Sequence, residues 1–327
     1  MSTRRKFITL LGGAAAAWPI AARAQQPAMP VVGVLSTRAP GADPYLLTAL
    51  HRGLKEAGFV DGQNLRIDYR FAENQYDRLP TLAADLVGRR VALIVSMGTP
   101  AAPAAKAATA TIPVVFGVGD DPVQLGLVGS LAHPGGNLTG VTTLSGELGS
   151  KRLELLRELV PTATLVGLLV NPTNVNAEAV LKDLQAAARA IGLQIHLLRA
   201  STEREIEAAF TTLLELRAGG LMVGTDPFFN SRSEQLARLA LRHAVPTVFQ
   251  FHEFAVANGL MSYGGSITEV YRLVGIYVGR ILKGEKPGEL PVQQVTKVEL
   301  LINLRTAKAL GLTIPPLLLT RADHVIE

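Results

Sequence analysis

The residues best equipped for chemistry stand where short apolar runs end. Val118-Gly119-Asp120-Asp121-Pro122 and Val223-Gly224-Thr225-Asp226-Pro227 agree at four of five positions. A carboxylate so placed can act as a general base, hold an amine, or cap the N–H groups of a following helix. Thr99-Pro100, Asn171-Pro172 and, a little beyond the first run, Asp43-Pro44 repeat the pairing of a capping residue with proline. Proline suits the first helical position because no N–H is needed there. Helix capping is the commoner role for any one of these residues taken alone. Gathered along one edge they acquire another, because helix N-termini with unpaired N–H groups favour a carboxylate or other anion.

Signatures of catalysis are otherwise sparse. Gly117-Val118-Gly119 is followed by Asp120-Asp121-Pro122, so the third glycine of a dinucleotide loop is missing. No Walker sequence and no GxSxG occurs, since Ser145-Gly146 lacks the preceding glycine. The histidines, at 51, 133, 196, 243, 252 and 324, form no pair at helical ligand spacing, and His252-Glu253 lacks the second histidine of a zincin. With no cysteine in the chain, disulfides, thiolate metal sites, a cysteine nucleophile and a lipidated N-terminal cysteine are excluded. No metal and no cofactor is expected.

Met1–Ala24 has the order of an export signal. Arg4, Arg5 and Lys6 precede a mostly apolar stretch from Phe7 to Ala22, and Ala22-Arg23-Ala24 supplies a small-x-small cleavage pattern. Thr3-Arg4-Arg5-Lys6-Phe7-Ile8 also resembles a twin-arginine signal, an address rather than an anchor. Cleavage near Ala24 removes four basic residues and no acidic one from a chain with 32 Lys plus Arg and 27 Asp plus Glu, which leaves a net charge of +1. The high pI thus belongs largely to the signal, and a nucleic-acid partner, which needs a concentrated basic footprint, is not expected. The mature chain is expected free in the periplasm and not embedded in the membrane.

The elements that must position the chemical residues alternate. Val31–Leu35, Leu65–Phe71, Ala92–Ser96 and Val114–Val118 read as strands, with helices over Tyr45–Ala57, Leu79–Val87 and Ala101–Ala110. A helical-length segment is expected after Pro122. From Pro134-Gly135-Gly136 the chain enters a further strand at Leu138, read as a hinge crossing between two bodies. The alternation then restarts, with strands at Leu165–Val170, Leu193–Leu198, Leu221–Val223 and Thr247–Phe251, each pair separated by a helix. Such alternation implies parallel sheets built from right-handed βαβ units. A chain of this length is also near the size at which one core gives way to two. The remainder, with strands at Leu260–Tyr263 and Leu300–Leu304, a helix at Glu269–Leu282 and a break at Pro315-Pro316, is too short for a third domain. It is expected to return to both bodies: 30–140 plus 260–292 form lobe 1, and 141–259 plus 293–327 form lobe 2.

Two sheets facing each other by their helix-bearing edges would make a cleft lined by Ser36, Thr37, Gly98, Thr99, Asp120 and Asn171, with Asp226 opposite. Thr142, Asn174 and Tyr263 complete the expected ligand-binding set. Tyr45, Phe116, Phe228, Phe229, Phe249 and Phe251 also fall near the edge, where core packing is the commoner role for an aromatic ring. Asp120 and Thr142 are expected beside the ligand, and Asp121 against its own helix.

Gly53-Leu54-Lys55-Glu56-Ala57-Gly58 with Gly62-Gln63-Asn64, Thr99-Pro100-Ala101-Ala102, and Asp121-Pro122-Val123 with Pro134-Gly135-Gly136-Asn137-Leu138-Thr139-Gly140 carry a wider likeness. Arg152-Leu153-Glu154-Leu155-Leu156 and Gly275 with Ile281-Leu282-Lys283-Gly284 extend it. Over essentially all of the mature chain the sequence resembles the substrate-binding proteins of ABC importers, in the family that includes the tryptophan-binding TrpX-like proteins. That resemblance implies the type I periplasmic-binding fold: two Rossmann-like lobes with parallel sheets, joined by three hinge crossings. It further implies hinge closure on a small organic solute, amino-acid-like solutes being among the candidates, and delivery to an inner-membrane ABC permease. An exported sensor subunit of the same fold and an exported α/β enzyme using Asp120 or Asp226 as base are the alternatives.

Overall fold

The structure is a computed structural model that describes residues 29–146 and 148–327. The export-signal reading of Met1–Ala24 lies outside the described residues. From the N-terminal side the chain runs β1 (Val31–Ser36), α1 (Pro44–Glu56), β2 (Arg66–Phe71), α2 (Leu79–Gly88), β3 (Leu93–Met97), α3 (Ala101–Ala108), β4 (Val114–Val118) and β5 (Leu138–Thr142). The second half holds α4 (Gly149–Leu159), β6 (Leu165–Val170), α5 (Ala177–Ala190), β7 (Gln194–Arg199), α6 (Glu203–Glu215), β8 (Leu221–Val223), α7 (Pro227–Asn230), α8 (Ser233–Arg242), β9 (Thr247–Phe249), α9 (His252–Val256) and β10 (Met261–Gly265). The remainder comprises α10 (Ile267–Leu282), β11 (Gln293–Gln294), β12 (Val298–Asn303), α11 (Leu304–Ala309), α12 (Pro316–Arg321) and β13 (His324–Ile326).

Among the described residues these strands form two sheets, ordered β11-β5-β4-β3-β1-β2 and β13-β12-β10-β9-β8-β6-β7. Pairing is parallel throughout, except where β10 meets β12 antiparallel. Each half therefore has the same doubly wound order, with its first strand between the second and the third, and a switch point between first and third. Apolar cores cover both faces of each sheet, which is why β1, β3, β4 and β6 read as unbroken apolar runs. Edge strand β2 is only partly buried and keeps its alternation of polar and apolar residues.

Helices α1 and α10 pack where their glycines leave room: a Cβ on Gly53 would stand 1.8 Å from the Arg272 carbonyl oxygen, and one on Gly275 2.4 Å from that of Leu50. At the start of α10 the Glu269 N–H donates to Ser266 Oγ at 3.1 Å. This helix buries its apolar stripe on the first sheet although the strand before it lies in the second.

Three crossings follow from sheet membership and helix packing, between β5 and α4, at Ser266 and over 295–297. All three expected limits between the lobes move by a few residues, the first because Val141 and Thr142, expected in the second lobe, pair within the first sheet. The strand Met261–Gly265 had been expected in the first lobe, yet Met261 pairs with Val248 of β9 and Ile302 of β12. Conversely Gln293 and Gln294 pair with Val141 and Thr142 of the first sheet. An apolar run announces a buried strand but not its partner, and here Gly264 permits an approach to the Gln250 carbonyl oxygen that a Cβ would block at 1.8 Å.

Further corrections are local. The helix expected after Pro122 is a series of turns, closed by Leu125 N–H to Asp121 O at 3.0 Å and Leu127 N–H to Pro122 O at 2.8 Å. Beyond Pro315 the chain does not trail off, because Pro316 opens α12 and β13 then pairs with β12.

Candidate functional site

The carboxyl-terminal ends of β1, β3, β4 and β8 converge between the two sheets. Thr37, Gly98 and Thr99 from the first lobe meet Thr225, Pro227 and Asn230 from the second around a cavity of about 50 Å³. Met97, Val118, Phe251, Ile267 and Val270 supply apolar wall, while Arg38 and Tyr271 close it. This is the place a doubly wound sheet offers a ligand, outside the strand ends at the switch between β1 and β3. Gly98, at φ 98°, lies where a Cβ would meet Thr37 Oγ1 at 2.7 Å and Pro227 Cγ at 3.1 Å. Opposite, a Cβ on Gly119 would stand 3.0 Å from Thr225 Cγ2. The two glycines thus set how closely the lobes approach.

Buried carboxylates hold the lobes together. In the first lobe Asp120 accepts from Thr99 Oγ1 at 2.6 Å and, across the cleft, from Asn176 Nδ2 at 2.7 Å. In the second, Asp226 accepts from Asn171 Nδ2 at 3.1 Å, Asn174 Nδ2 at 2.8 Å and the Phe228 N–H at 2.9 Å. A fourth donor, the Tyr76 hydroxyl at 3.1 Å, crosses from the first lobe. Burial pushes the Asp226 carboxyl up to about 6 despite these four donors, and raises Asp120 against the opposing bonds from Thr99 and Asn176. Desolvation also carries Tyr76 well above the usual phenol range, with Asp226 adding to it.

Capping, expected at each residue before proline, is found at Asp226 only among these positions, and there over a four-residue helix. Asp43 bonds Arg38 instead, and Thr99 turns to Asp120. Asn171 takes the Thr173 N–H at 3.0 Å and Asp121 the Val123 N–H at 2.7 Å, each closing a short turn. In all four a local or cross-strand partner lies nearer than a helix N–H, so the side chain is spent there.

Of the ligand-binding residues expected from sequence, Thr37, Gly98 and Thr99 line the cavity. Ser36 lies just behind, its Oγ accepting the Arg38 N–H at 3.2 Å. Asp120 and Thr142 form a second layer, Thr142 Oγ1 donating to the Asp120 carbonyl at 2.9 Å and receiving the Leu144 N–H at 3.1 Å. Asn171, Asn174 and Asp226 border a smaller adjoining hollow of about 20 Å³ that shares Thr225 with the main cavity. Tyr263 departs from expectation: its ring packs on the second-lobe core and its carbonyl accepts Arg152 Nη1 at 3.3 Å, because β10 belongs to the second sheet. Phe251 alone of the edge aromatics reaches the cavity, while Phe116, Phe228, Phe229 and Phe249 are core and Tyr45 is 42% exposed outside it.

Several site residues carried no sequence signal. Arg152 sits within a leucine-rich helix, yet its buried guanidinium donates to Ser145 O at 2.7 Å and so ties α4 to the first crossing. Burial lowers its pKa to about 10, with Asp120 and Tyr263 opposing. Arg38 is 6% exposed, held by Asp43 with Tyr271 beside it. Its guanidinium lies above the ordinary arginine value, since Tyr271 and Asp43 outweigh the lowering by burial. Tyr76 opens a three-residue 3-10 turn and Asn176 immediately precedes α5, with no sequence pattern to mark either.

Two lobes of the type I periplasmic-binding fold, closed over a cavity at their switch points, define the class: a two-lobed binding protein. Residues 43–326 match the family described as ABC transporter substrate binding protein, and the chain belongs to that family. The tyrosine-binding protein of Clostridioides difficile (strain R20291) is 30% identical over 265 residues, covering 80% of this chain and 75% of that protein. An ABC domain from Streptococcus pneumonia in complex with L-Trp is 26% identical, with a TM-score of 0.81 over 91% of this chain and 99% of that one. A ligand-free, open substrate-binding protein with adhesive properties from Clostridium difficile has the same identity, 26%, and the same coverage, 91% and 99%, but a TM-score of 0.63. At equal sequence identity, this structure matches the ligand-bound relative more closely than the open one.

Proposed function

We propose that this chain is the periplasmic receptor of an ABC importer, which captures a small organic solute between its lobes and presents it to an inner-membrane permease without altering it chemically. The observation that carries this reading is the pair of cross-cleft bonds, Asn176 to Asp120 and Tyr76 to Asp226, flanking an interlobe cavity. Both bonds exist only when the lobes meet, so solute capture and closure are one equilibrium. The two carboxylates that sequence offered as bases are spent on these bonds, and neither lines the cavity. Family membership supports the importer role, and the tyrosine- and tryptophan-binding relatives support a solute of that size.

Native mass spectrometry of gently purified protein tests this directly, with a co-purified small molecule as the expected result. A thermal-shift screen should then find the same solute raising the melting temperature, because a ligand of the native state stabilises it by mass action. Conversion of that solute by the pure protein would overturn the reading. Co-purification with a membrane kinase rather than with a permease would redirect it to a sensor role.

A further inference from the structure

The interlobe cavity is uneven in charge. Among its described lining residues Arg38 is the only one with an ionised side chain at neutral pH. Its Nη1 donates to Asp43, and Tyr271 lies against the same guanidinium. A guanidinium offers five N–H donors in a planar fork, and Asp43 engages one nitrogen. Asp43 and Glu253, the further carboxylates that act on Arg38, border a separate open groove together with Tyr45. The remaining nearby carboxylates, Asp120 and Asp226, carry donors on both oxygens and do not line the cavity. Thr225, in contrast, lines it with a buried Oγ1 that has no hydrogen-bond partner.

Resting on the receptor reading above, we propose that the cavity takes a monocarboxylate with an apolar body and no ammonium group, its carboxylate against Arg38. A carboxylate meets a guanidinium with charge-assisted, shape-matched bonds. Thr225 offers a further hydrogen bond to a ligand oxygen, and Met97, Val118, Phe251 and Ile267 cover the apolar body. An α-ammonium would enter the same space desolvated, beside a like charge and with no lining carboxylate to balance it. Tyrosine and tryptophan, bound by relatives, share the carboxylate and apolar body but bring that ammonium.

The test is a matched set on one body: 3-phenylpropanoate, phenylalanine, 2-phenylethylamine and 3-phenylpropanamide, repeated with 4-methylpentanoate and leucine to vary size. Thermal shift and calorimetry on the full mature chain should show the acids raising the melting temperature and binding at least about tenfold more tightly than their amino acids, with amine and amide silent. Arg38→Gln should remove that preference, and if the variant does not fold, the wild-type series still decides. An amino acid or an amide binding as well as its acid overturns the inference and leaves the receptor reading intact, since a solute is still captured. No binding by any acid of either body also overturns it, whereas the receptor reading fails separately, on chemical turnover of a co-purified solute.

Discussion

Replacing Tyr76 with Phe removes one oxygen and leaves the ring packed in the first-lobe core. That oxygen donates to Asp226 Oδ1 at 3.1 Å and receives the Phe228 N–H at 3.2 Å, both in the other lobe. Phe228 keeps its bond to Asp226 at 2.9 Å, so the net loss is one hydrogen bond to a charged group. Such bonds contribute roughly 1.5–3 kcal/mol. Because the bond exists only in the closed arrangement, the loss falls on the closing equilibrium and not on the folding of either lobe. If the free protein is mostly open, apparent affinity scales with the closed fraction and should fall by about 10- to 150-fold. Calorimetry with the co-purified solute measures the fall, and small-angle scattering of the ligand-free variant should show a larger radius of gyration. Equal affinity and equal radius in wild type and variant would refute the reasoning. A large drop in melting temperature without loss of affinity would show instead that Tyr76 supports its own lobe.

Removing a second cross-cleft bond by Asn176→Ala should weaken binding by a similar factor, and calorimetry on the double variant should show free energies that depart from additivity, because Asn174 links the two contacts by taking the Asn176 N–H and donating to Asp226. For Asp226 the sign runs toward acid: its folded pKa, about 6, lies above the unfolded value near 3.8, so its contribution is fully present below pH ~3.8 and is lost as pH rises through ~6. Urea unfolding from pH 4 to 7 should therefore show wild type losing up to about 3 kcal/mol relative to Asp226→Asn, from roughly two pKa units at 1.36 kcal/mol each. Gly53→Ala must push α10 away, since its Cβ would stand 1.8 Å from the Arg272 carbonyl oxygen. Overpacking of this kind costs typically about 1–3 kcal/mol, and the melting temperature should fall by several degrees with ligand affinity kept once the protein is folded. A bulky side chain at Gly119, which faces Thr225 across the cleft, should hold the lobes apart in small-angle scattering without lowering the melting temperature.

Much of the fold was legible because each sheet is covered on both faces, so that buried strands read as unbroken apolar runs and α1 as an amphipathic stripe. Chain order alone gave the repeat of strand and helix, and hence two parallel sheets. Where a strand was assigned to the wrong lobe, the deciding partner was distant in sequence. Leu260–Tyr263 announced a strand, but only pairing with Val248 and Ile302 assigned it to the second sheet. The turn after Pro122 had the length of a helix and the cap of one, yet Asp121 closed a tighter loop.

The site divides along the same line. Sequence by itself determined which strand ends carry Thr37, Gly98 and Thr99, because a βα turn must expose its residues at the carboxyl-terminal edge of a parallel sheet. It also determined that Asp120 and Asp226 stand at such edges. Only the tertiary structure decided what those carboxylates do, since one donor to each, Asn176 to Asp120 and Tyr76 to Asp226, comes from the opposite lobe. It likewise decided that the cavity faces a guanidinium rather than a carboxylate. A side chain's role is set by what lies within about 3 Å of it, and for these residues that neighbour is fixed only when the two lobes close.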